Sequence, residues 1–138
     1  MVTGVQTCAL PISLNGKPIH VSSIGDLSRS LLSTGFPPDP DCQERNLHWW
    51  RILAFKTQAL RRTGSTALNL AYVAAGRFDG YWAFDNWAWD VAAGIVLVTE
   101  AGGKVTRVDG SLSDAFRPDL VAANPVLHTS LIGCFKAG

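Results

Sequence analysis

The sequence predicts a layered α/β domain, and three observations support this. Stretches with the two-residue period of a strand alternate with stretches of helical period from Ile19 to Phe135. Glycine and proline residues separate these stretches. One predicted helix, from Asp90 to about Ala101, is apolar at almost every position, which is typical of a helix buried on more than one side. Such alternation favours helix layers on a sheet over a helical bundle or a sandwich of sheets.

Turn residues and alternation define the first predicted strands. The pair Asn15–Gly16 is a turn signal, and Ile19 and Val21 lie on one face of the short strand that follows it. The second predicted strand runs from Ser28 to Phe36. Two adjacent prolines then end this strand and mark a loop.

Two helices come next in the predicted order. The first runs from Asp41, its N-cap, to about Leu60, and the second from about Thr66 to Ala75, with Gly76 as its C-cap. In both, apolar residues recur at three- and four-residue spacing. The predicted buried stripes are Leu47, Trp50, Leu53 and Ala54 in the first helix and Ala67, Leu70, Ala71 and Ala74 in the second.

The second half of the chain continues the alternation. Its predicted elements are, in order, a strand at 77–84, the apolar helix at 90–101, a strand plus turn at 104–110, a strand at 119–124, and a helix at 125–135 with Pro125 near its first turn.

The composition excludes several classes of protein. The 138 residues are 47% hydrophobic and 17% charged, with a net charge of +1, so the clustered Lys and Arg of a nucleic-acid surface are absent. Polar residues interrupt every apolar run before it reaches membrane-spanning length. The three cysteines fit neither a disulfide framework nor a zinc site, so we expect reduced thiols. We predict a cytoplasmic protein with no nucleic-acid or membrane partner.

The first residues are predicted to be foreign to the fold. Val2 to Ile12 resembles the translated reading frame of a sequencing-library adaptor and lacks the features of a secretory signal. We therefore expect residues 1–13 to be a non-native leader that packs poorly. Residues 14–138 then form one α/β domain.

Two positions carry candidate chemistry. Asp90 lies at the start of a predicted helix, where unpaired backbone N–H groups and the helix dipole favour a carboxylate. Asp90 is therefore either a functional carboxylate or only the N-cap of that helix. Gly64, Ser65 and Thr66 form a small-residue turn whose N–H groups can approach an anionic or polyhydroxyl ligand. An ordinary capped helix start also explains this turn.

The surrounding motifs resemble those of the inositol monophosphatase family. The motifs are "RRTGSTALNLAYVAAGRFDGYW" (61–82), "WDVAAGIVLVTEAGG" (89–103) and "VAANP" (121–125). The resemblance covers nearly everything from Leu14 onward. It implies the C-terminal α/β domain of that fold, with the N-terminal domain missing. It also implies Mg²⁺-dependent hydrolysis of phosphate monoesters of inositol or related polyols and sugars, by a protein that is a homodimer when full length.

The resemblance assigns roles to four residues. Asp90 matches the metal-ligating aspartate of the family's Trp-Asp motif, and Gly64, Ser65 and Thr66 match the turn that contacts substrate hydroxyls. Carboxylate oxygens suit Mg²⁺, and paired metals activate water and clamp the leaving oxygen. No catalytic residue is assigned, because the family's Asp-Pro-x-Asp-Gly-Thr motif and upstream glutamates are absent from this sequence. We therefore expect this chain alone to be inactive.

One position departs from the family pattern. Ala83 stands where the family often has a glutamate that binds substrate hydroxyls, and Asp85 is not equivalent because the intervening residue changes its position in a strand. Sugar bisphosphates, nucleotide 3′-phosphates and histidinol phosphate are therefore alternative substrates. Trp82, Trp87 and Trp89 surround the candidate site, and we expect each to pack in the core.

Two other hypotheses remain open. Ala83 and the absent motif favour a non-catalytic interaction domain that retains the fold. The adaptor-like leader favours a truncated gene model with no independent role. Upstream genomic sequence that encodes a Glu-Glu pair and an Asp-x-x-Asp-Gly-Thr motif in frame would establish enzyme ancestry and truncation together.

Overall fold

A five-stranded mixed sheet with helices on both faces forms the body of the protein. The computed structural model describes residues 11–117 and 119–138. A 3₁₀ turn at Leu27–Arg29 precedes the sheet. The elements in chain order are β1 (Ser13–Leu14), β2 (Lys17–Pro18), β3 (Leu31–Thr34), α1 (Pro40–Ala54), β4 (Ala59–Arg61), α2 (Thr66–Ala74), β5 (Gly80–Ala83), α3 (Ala88–Glu100), β6 (Lys104–Thr106), β7 (Leu120–Ala123) and α4 (Pro125–Ala137).

The strand order of the sheet is β4-β3-β5-β7-β6. The strands β4, β3 and β5 are parallel, whereas β7 is antiparallel to both β5 and β6. The carboxyl ends of the three parallel strands therefore meet at one edge of the sheet. In open α/β sheets, ligands bind outside this edge.

The sheet separates two hydrophobic cores. Trp49 and Leu53 of α1 pack with Leu127 and Leu131 of α4 on one face, and residues of α2 and α3 pack on the other. Consecutive residues of β5 alternate between these cores, because neighbouring side chains of a strand point to opposite faces. Tyr81 and Ala83 point to the α2–α3 core, and Trp82 and Phe84 to the α1–α4 core. The predicted layered α/β class is confirmed.

The first long helix differs from its prediction in both its ends and its buried face. It begins after Asp39, whose carboxylate accepts the N–H of Cys42, so Asp39 rather than Asp41 is the N-cap. It ends at Ala54, and Ala59–Arg61 form a strand that the helical prediction to Leu60 missed. Its buried residues are Asn46, Trp49 and Leu53, whereas the predicted Leu47 is 50% exposed. The sequence did not reveal β4, because a three-residue strand is too short to show alternation.

The chain before the sheet forms a small hairpin. Asn15 and Gly16 both have positive φ, as a two-residue hairpin turn requires, and they join β1 to β2. The predicted strand at Ile19 and Val21 is wrong, because both residues lie in irregular chain packed against the α2–α3 core. Most of the predicted leader lies outside the described residues, so its foreign origin stays a prediction. Of its last residues, Ile12 packs against the α2–α3 core.

Helix α3 is buried on one side only. Val91, Gly94 and Val98 face α2 and the sheet, whereas Ala92 and Ala93 are exposed and Val96 is 59% exposed. The prediction of burial on more than one side is therefore wrong for this chain. None of the helices in the described ranges is both long and apolar enough to cross a bilayer.

Candidate functional site

A cavity of about 190 Å³ lies at the carboxyl ends of the three parallel strands. The chain that follows each of these strands supplies one wall of it. The walls are residues 35–38 after β3, residues 62 and 64–66 after β4, and Ala83 at the end of β5 with residues 84–87 and Asp90 after it. The topology therefore joins three segments that are far apart in the sequence into one site.

Asp90 lines this cavity from the first turn of α3. The helix begins at Ala88, and Trp87 holds the N-cap position without a side-chain hydrogen bond. Asp90 is the third helical residue, so the interpretation of this side chain as the N-cap is wrong. Its carboxylate still lies at the positive end of the helix dipole, which stabilises a negative charge.

The turn of Gly64, Ser65 and Thr66 also lines the cavity. Gly64 has φ +89, a left-handed conformation that favours glycine. Ser65 is the N-cap of α2, where its hydroxyl accepts the N–H of Leu68 at 3.2 Å. Because this hydroxyl acts in the cap only as an acceptor, the turn can offer a ligand both its backbone N–H groups and the Ser65 O–H.

Tyr81 holds Thr66 in place from the sheet below. The two hydroxyls are 3.0 Å apart, and Tyr81 is fully buried. Burial raises the pKa of Tyr81 to about 12, so its phenol remains protonated at physiological pH. Tyr81 is therefore a structural support for the cavity rather than a proton donor to a ligand.

A buried amide fixes the wall that follows β3. Asn46 of α1 donates to the Gly35 carbonyl at 2.7 Å and accepts the indole N–H of Trp82 at 2.7 Å. The next residue, Phe36, lies under the guanidinium of Arg62, which is 5.5 Å from the ring centroid. This contact places a cation at the edge of the cavity, close to the start of α2.

The tryptophans divide into packed and exposed residues. Trp82 is fully buried, which confirms its predicted packing role. The same prediction is wrong for Trp87 and Trp89, which are 63% and 76% exposed. Their rings stack on each other with centroids 5.1 Å apart and planes 4° apart, and Trp87 lines the cavity.

The cavity offers the kind of ligand that a hard metal ion prefers, but too few such ligands to hold one. Asp90 offers carboxylate oxygens, which Mg²⁺ prefers. Within the described ranges, however, no three His, Cys, Asp or Glu side chains gather to hold a metal ion. These residues alone cannot form a complete metal shell.

The structure brings together all four residues predicted for the site, Gly64, Ser65, Thr66 and Asp90. Sequence reasoning did not identify Phe36 as part of it, and it placed Trp87 beside the site but as a core residue rather than a cavity wall. An aromatic residue predicts packing from sequence alone, and only the shared edge of the sheet places these two at the cavity.

Comparison with known proteins establishes the family. The model of the inositol monophosphatase family matches residues 5–137, so the chain belongs to this family, as its motifs predicted. The match begins within the predicted leader.

The relatives carry two kinds of name. The chain is 43% identical over 124 residues to an inositol-1-monophosphatase of Synechocystis, covering 89% of this chain and 43% of the relative. It is 41% identical over 128 residues to the Nus factor SuhB of Pseudomonas aeruginosa, covering 91% of this chain and 45% of the relative. The solved structure of inositol monophosphatase from Anabaena (Nostoc) superposes with a TM-score of 0.86 at 41% identity, covering 94% of this chain and 52% of the solved chain. The chain thus spans about half the length of these relatives.

Proposed function

We propose that this chain is the C-terminal domain of a Mg²⁺-dependent phosphatase that hydrolyses phosphate monoesters of inositol or related polyols and sugars. One observation carries the proposal. The N-termini of α2 and α3 and Arg62 all line one cavity, and the guanidinium of Arg62 lies over the ring of Phe36, which lines it too. Helix N-termini and a cation favour an anion such as phosphate.

The residues of this chain have separate tasks in the proposal. The backbone N–H groups of the Gly64–Thr66 turn bind and orient the ester, and Arg62 attracts its charge. Asp90 would supply one oxygen ligand to Mg²⁺, and residues outside this chain would supply the others. When bound, the metal would provide an activated water and neutralise the charge on the leaving oxygen.

Asp90→Asn tests the proposal in the complete protein. Asn keeps the size of the side chain but loses the charge that a metal ligand needs. We expect Mg²⁺-dependent turnover to fall about a hundredfold or more, by analogy with the loss of one electrostatic group in an active site. The free energy of unfolding should change by less than about 1 kcal/mol, the typical contribution of a charge at a helix N-terminus. Phosphate release and thermal unfolding measure the two effects. The 138-residue chain alone should release no phosphate from sugar, inositol or nucleotide phosphates.

Asp41→Asn is the matched control. Asp41 lies in the first turn of α1 and is exposed, so this variant also removes a carboxylate from the start of a helix, but away from the cavity. It should leave turnover unchanged. Full turnover in Asp90→Asn would refute the metal role, and metal-dependent turnover by the chain alone would refute the shared site.

A second candidate function is an interaction domain without catalysis. The similarity to a relative named Nus factor SuhB and the incomplete donor set of the described residues both favour it. A complete protein that releases no phosphate with Mg²⁺, even before mutation, would support this alternative. The homodimer and the cytoplasmic location remain predictions for the complete protein.

A further inference from the structure

We propose that Asn69 and Thr63 are positioning residues that hold the Gly64–Thr66 turn in the conformation that binds the ester. Neither residue is among those that line the cavity, so both would act on a ligand only through the backbone of the turn. This inference rests on the proposed function, since that function assigns the ester to the turn.

The turn is weakly constrained at Gly64. This residue has φ +89, and a Cβ atom built there would meet no heavy atom of the described residues within 4 Å. Glycine also has more backbone freedom than any other residue. Packing therefore does not fix the direction of the N–H groups at this point, and the residues on either side of Gly64 have to do so.

The helical side of the turn is held by α2 and by the sheet. Ser65 caps α2, and its carbonyl accepts the backbone N–H of Asn69 at 3.0 Å. The hydroxyl of Thr66 lies 3.0 Å from that of Tyr81, which is fully buried in β5. The freedom that remains is therefore on the other side of the turn, where the chain arrives from β4.

The side chain of Asn69 fixes this other side. The hydroxyl of Thr63 donates to Oδ1 of Asn69 at 2.6 Å. Thr63 is exposed, whereas Asn69 is fully buried in α2, where close packing restricts its side chain. The bond therefore ties the exposed start of the turn to a side chain that is itself held in place.

Stability alone does not explain an asparagine at position 69. Its Nδ2 group is buried and makes no hydrogen bond of standard geometry within the described ranges. An unpaired buried donor costs free energy, and a leucine of similar size would avoid this cost. A leucine could not accept the hydroxyl of Thr63, so the gain from asparagine lies in the turn.

Two variants of the complete protein with Mg²⁺ test the proposal. Asn69→Leu removes the acceptor, and Thr63→Val removes the donor while keeping the shape of the side chain. Each should raise the KM for myo-inositol 1-phosphate about fivefold, the value of one ordinary hydrogen bond. The value of kcat should stay within about twofold, because a loosened turn binds the ground state and the transition state less tightly alike. Calorimetric titration with inorganic phosphate should show a similar loss of affinity.

Thermal unfolding separates positioning from a purely structural role. Thr63→Val leaves Oδ1 of Asn69 buried without its partner, so the midpoint should fall by about 2 °C or more. Adding Asn69→Leu removes this unpaired acceptor and should restore most of the midpoint, whereas the KM should stay raised. If the midpoint and the KM recover together in the double variant, the pair is only structural and the inference is overturned.

Two further variants serve as controls. Thr63→Ser keeps the hydroxyl and should retain the original KM. Thr106→Val also removes a hydroxyl from a buried pair, since Thr106 lies 2.9 Å from Nε2 of His128, but Thr106 is not among the residues that line the cavity. This variant should lower the midpoint and leave the KM unchanged.

The outcomes distinguish this inference from the proposed function. An unchanged KM and phosphate affinity in Asn69→Leu and Thr63→Val would overturn the inference and leave the proposed function intact. If the unmodified protein binds phosphate but hydrolyses no ester, the proposed function fails, and the phosphate affinities of the variants decide the inference. An unmodified protein that neither binds phosphate nor releases it would overturn both.

Discussion

His128 illustrates how burial changes a titratable side chain. It lies on α4, is 2% exposed, and its Nε2 is 2.9 Å from the hydroxyl of Thr106. That hydroxyl donates its single proton to the Arg107 carbonyl, so Nε2 carries a proton and donates to Thr106. Burial, and secondarily the charge of Lys104, lowers the pKa of His128 to about 4. The folded protein thus holds a neutral imidazole over a wide pH range.

This burial predicts a loss of stability in mild acid. The unfolded chain protonates His128 below about pH 6.5, whereas the folded chain does so only near pH 4. The unfolded state therefore binds more protons between these values, and the free energy of unfolding falls as the pH falls. The loss should be on the order of 3 kcal/mol by pH 4, since one pKa unit corresponds to about 1.4 kcal/mol. Urea unfolding between pH 7 and pH 4.5 measures it.

His128→Gln keeps a donor for Thr106 but cannot titrate, so its unfolding free energy should depend less steeply on pH. His48→Gln is the control, because His48 is exposed on α1 and its variant should keep the slope of the original protein. If the unfolding free energy of His128→Gln depends on pH as steeply as that of the original protein, other groups cause the acid sensitivity.

The contact between α2 and α3 depends on a glycine. Gly94 is buried in α3, and a Cβ atom built there would lie 2.3 Å from Cδ1 and 2.6 Å from Cβ of Leu70 on α2. The Cβ of Leu70 is fixed to the helix backbone and cannot rotate away. The two helices can therefore approach this closely only with glycine at position 94.

Two glycine substitutions with the same chemistry should have opposite effects. Gly94→Ala should destabilise the fold by about 1–3 kcal/mol, because an overpacked core must shift. Gly133→Ala should stabilise it by about 0.5–1 kcal/mol, because Gly133 lies inside α4 with open space where its Cβ would be, and alanine favours a helix. Denaturant unfolding of both variants is the measurement. Stability equal to the original in Gly94→Ala would mean that the helices separate at little cost.

In the whole chain, α3 leaves an apolar surface exposed, which we call the outer α3 face. It consists of Trp89, Ala92, Ala93 and Val96, which recur at three- and four-residue spacing and are all exposed. Contiguous exposed apolar surface is typical of surfaces that contact another protein segment. The chain also spans about half the length of its relatives.

We predict that the isolated chain self-associates through the outer α3 face. Val96→Lys places a charge in the middle of this face and should shift the sedimentation of concentrated protein toward the monomer. Phe116→Lys is the control, since Phe116 is 87% exposed outside the face and its replacement should not affect association. A purely monomeric chain, or equal effects of the two variants, would contradict the prediction.

Elements with a long or well-marked pattern were predictable. The helices α2 and α4 were predicted within two residues of their ends, and β3, β5 and β7 lie inside their predicted strands. The four residues that the motifs predicted for the site line one cavity, and their roles in binding stay predictions. Short elements were not predictable, and β4 lacked enough residues to show any period.

Local pattern determines where helices and strands form, because periodicity and caps act within a few residues of each other. The sequence therefore specified the α/β class, the family and the positions of Asp90 and the Gly64–Thr66 turn. Burial and shared surroundings depend on segments that are distant in the chain. Only the parallel order of β4, β3 and β5 brings Phe36, Arg62 and Trp87 to one cavity, and only the packing of α3 shows which of its apolar residues remain exposed.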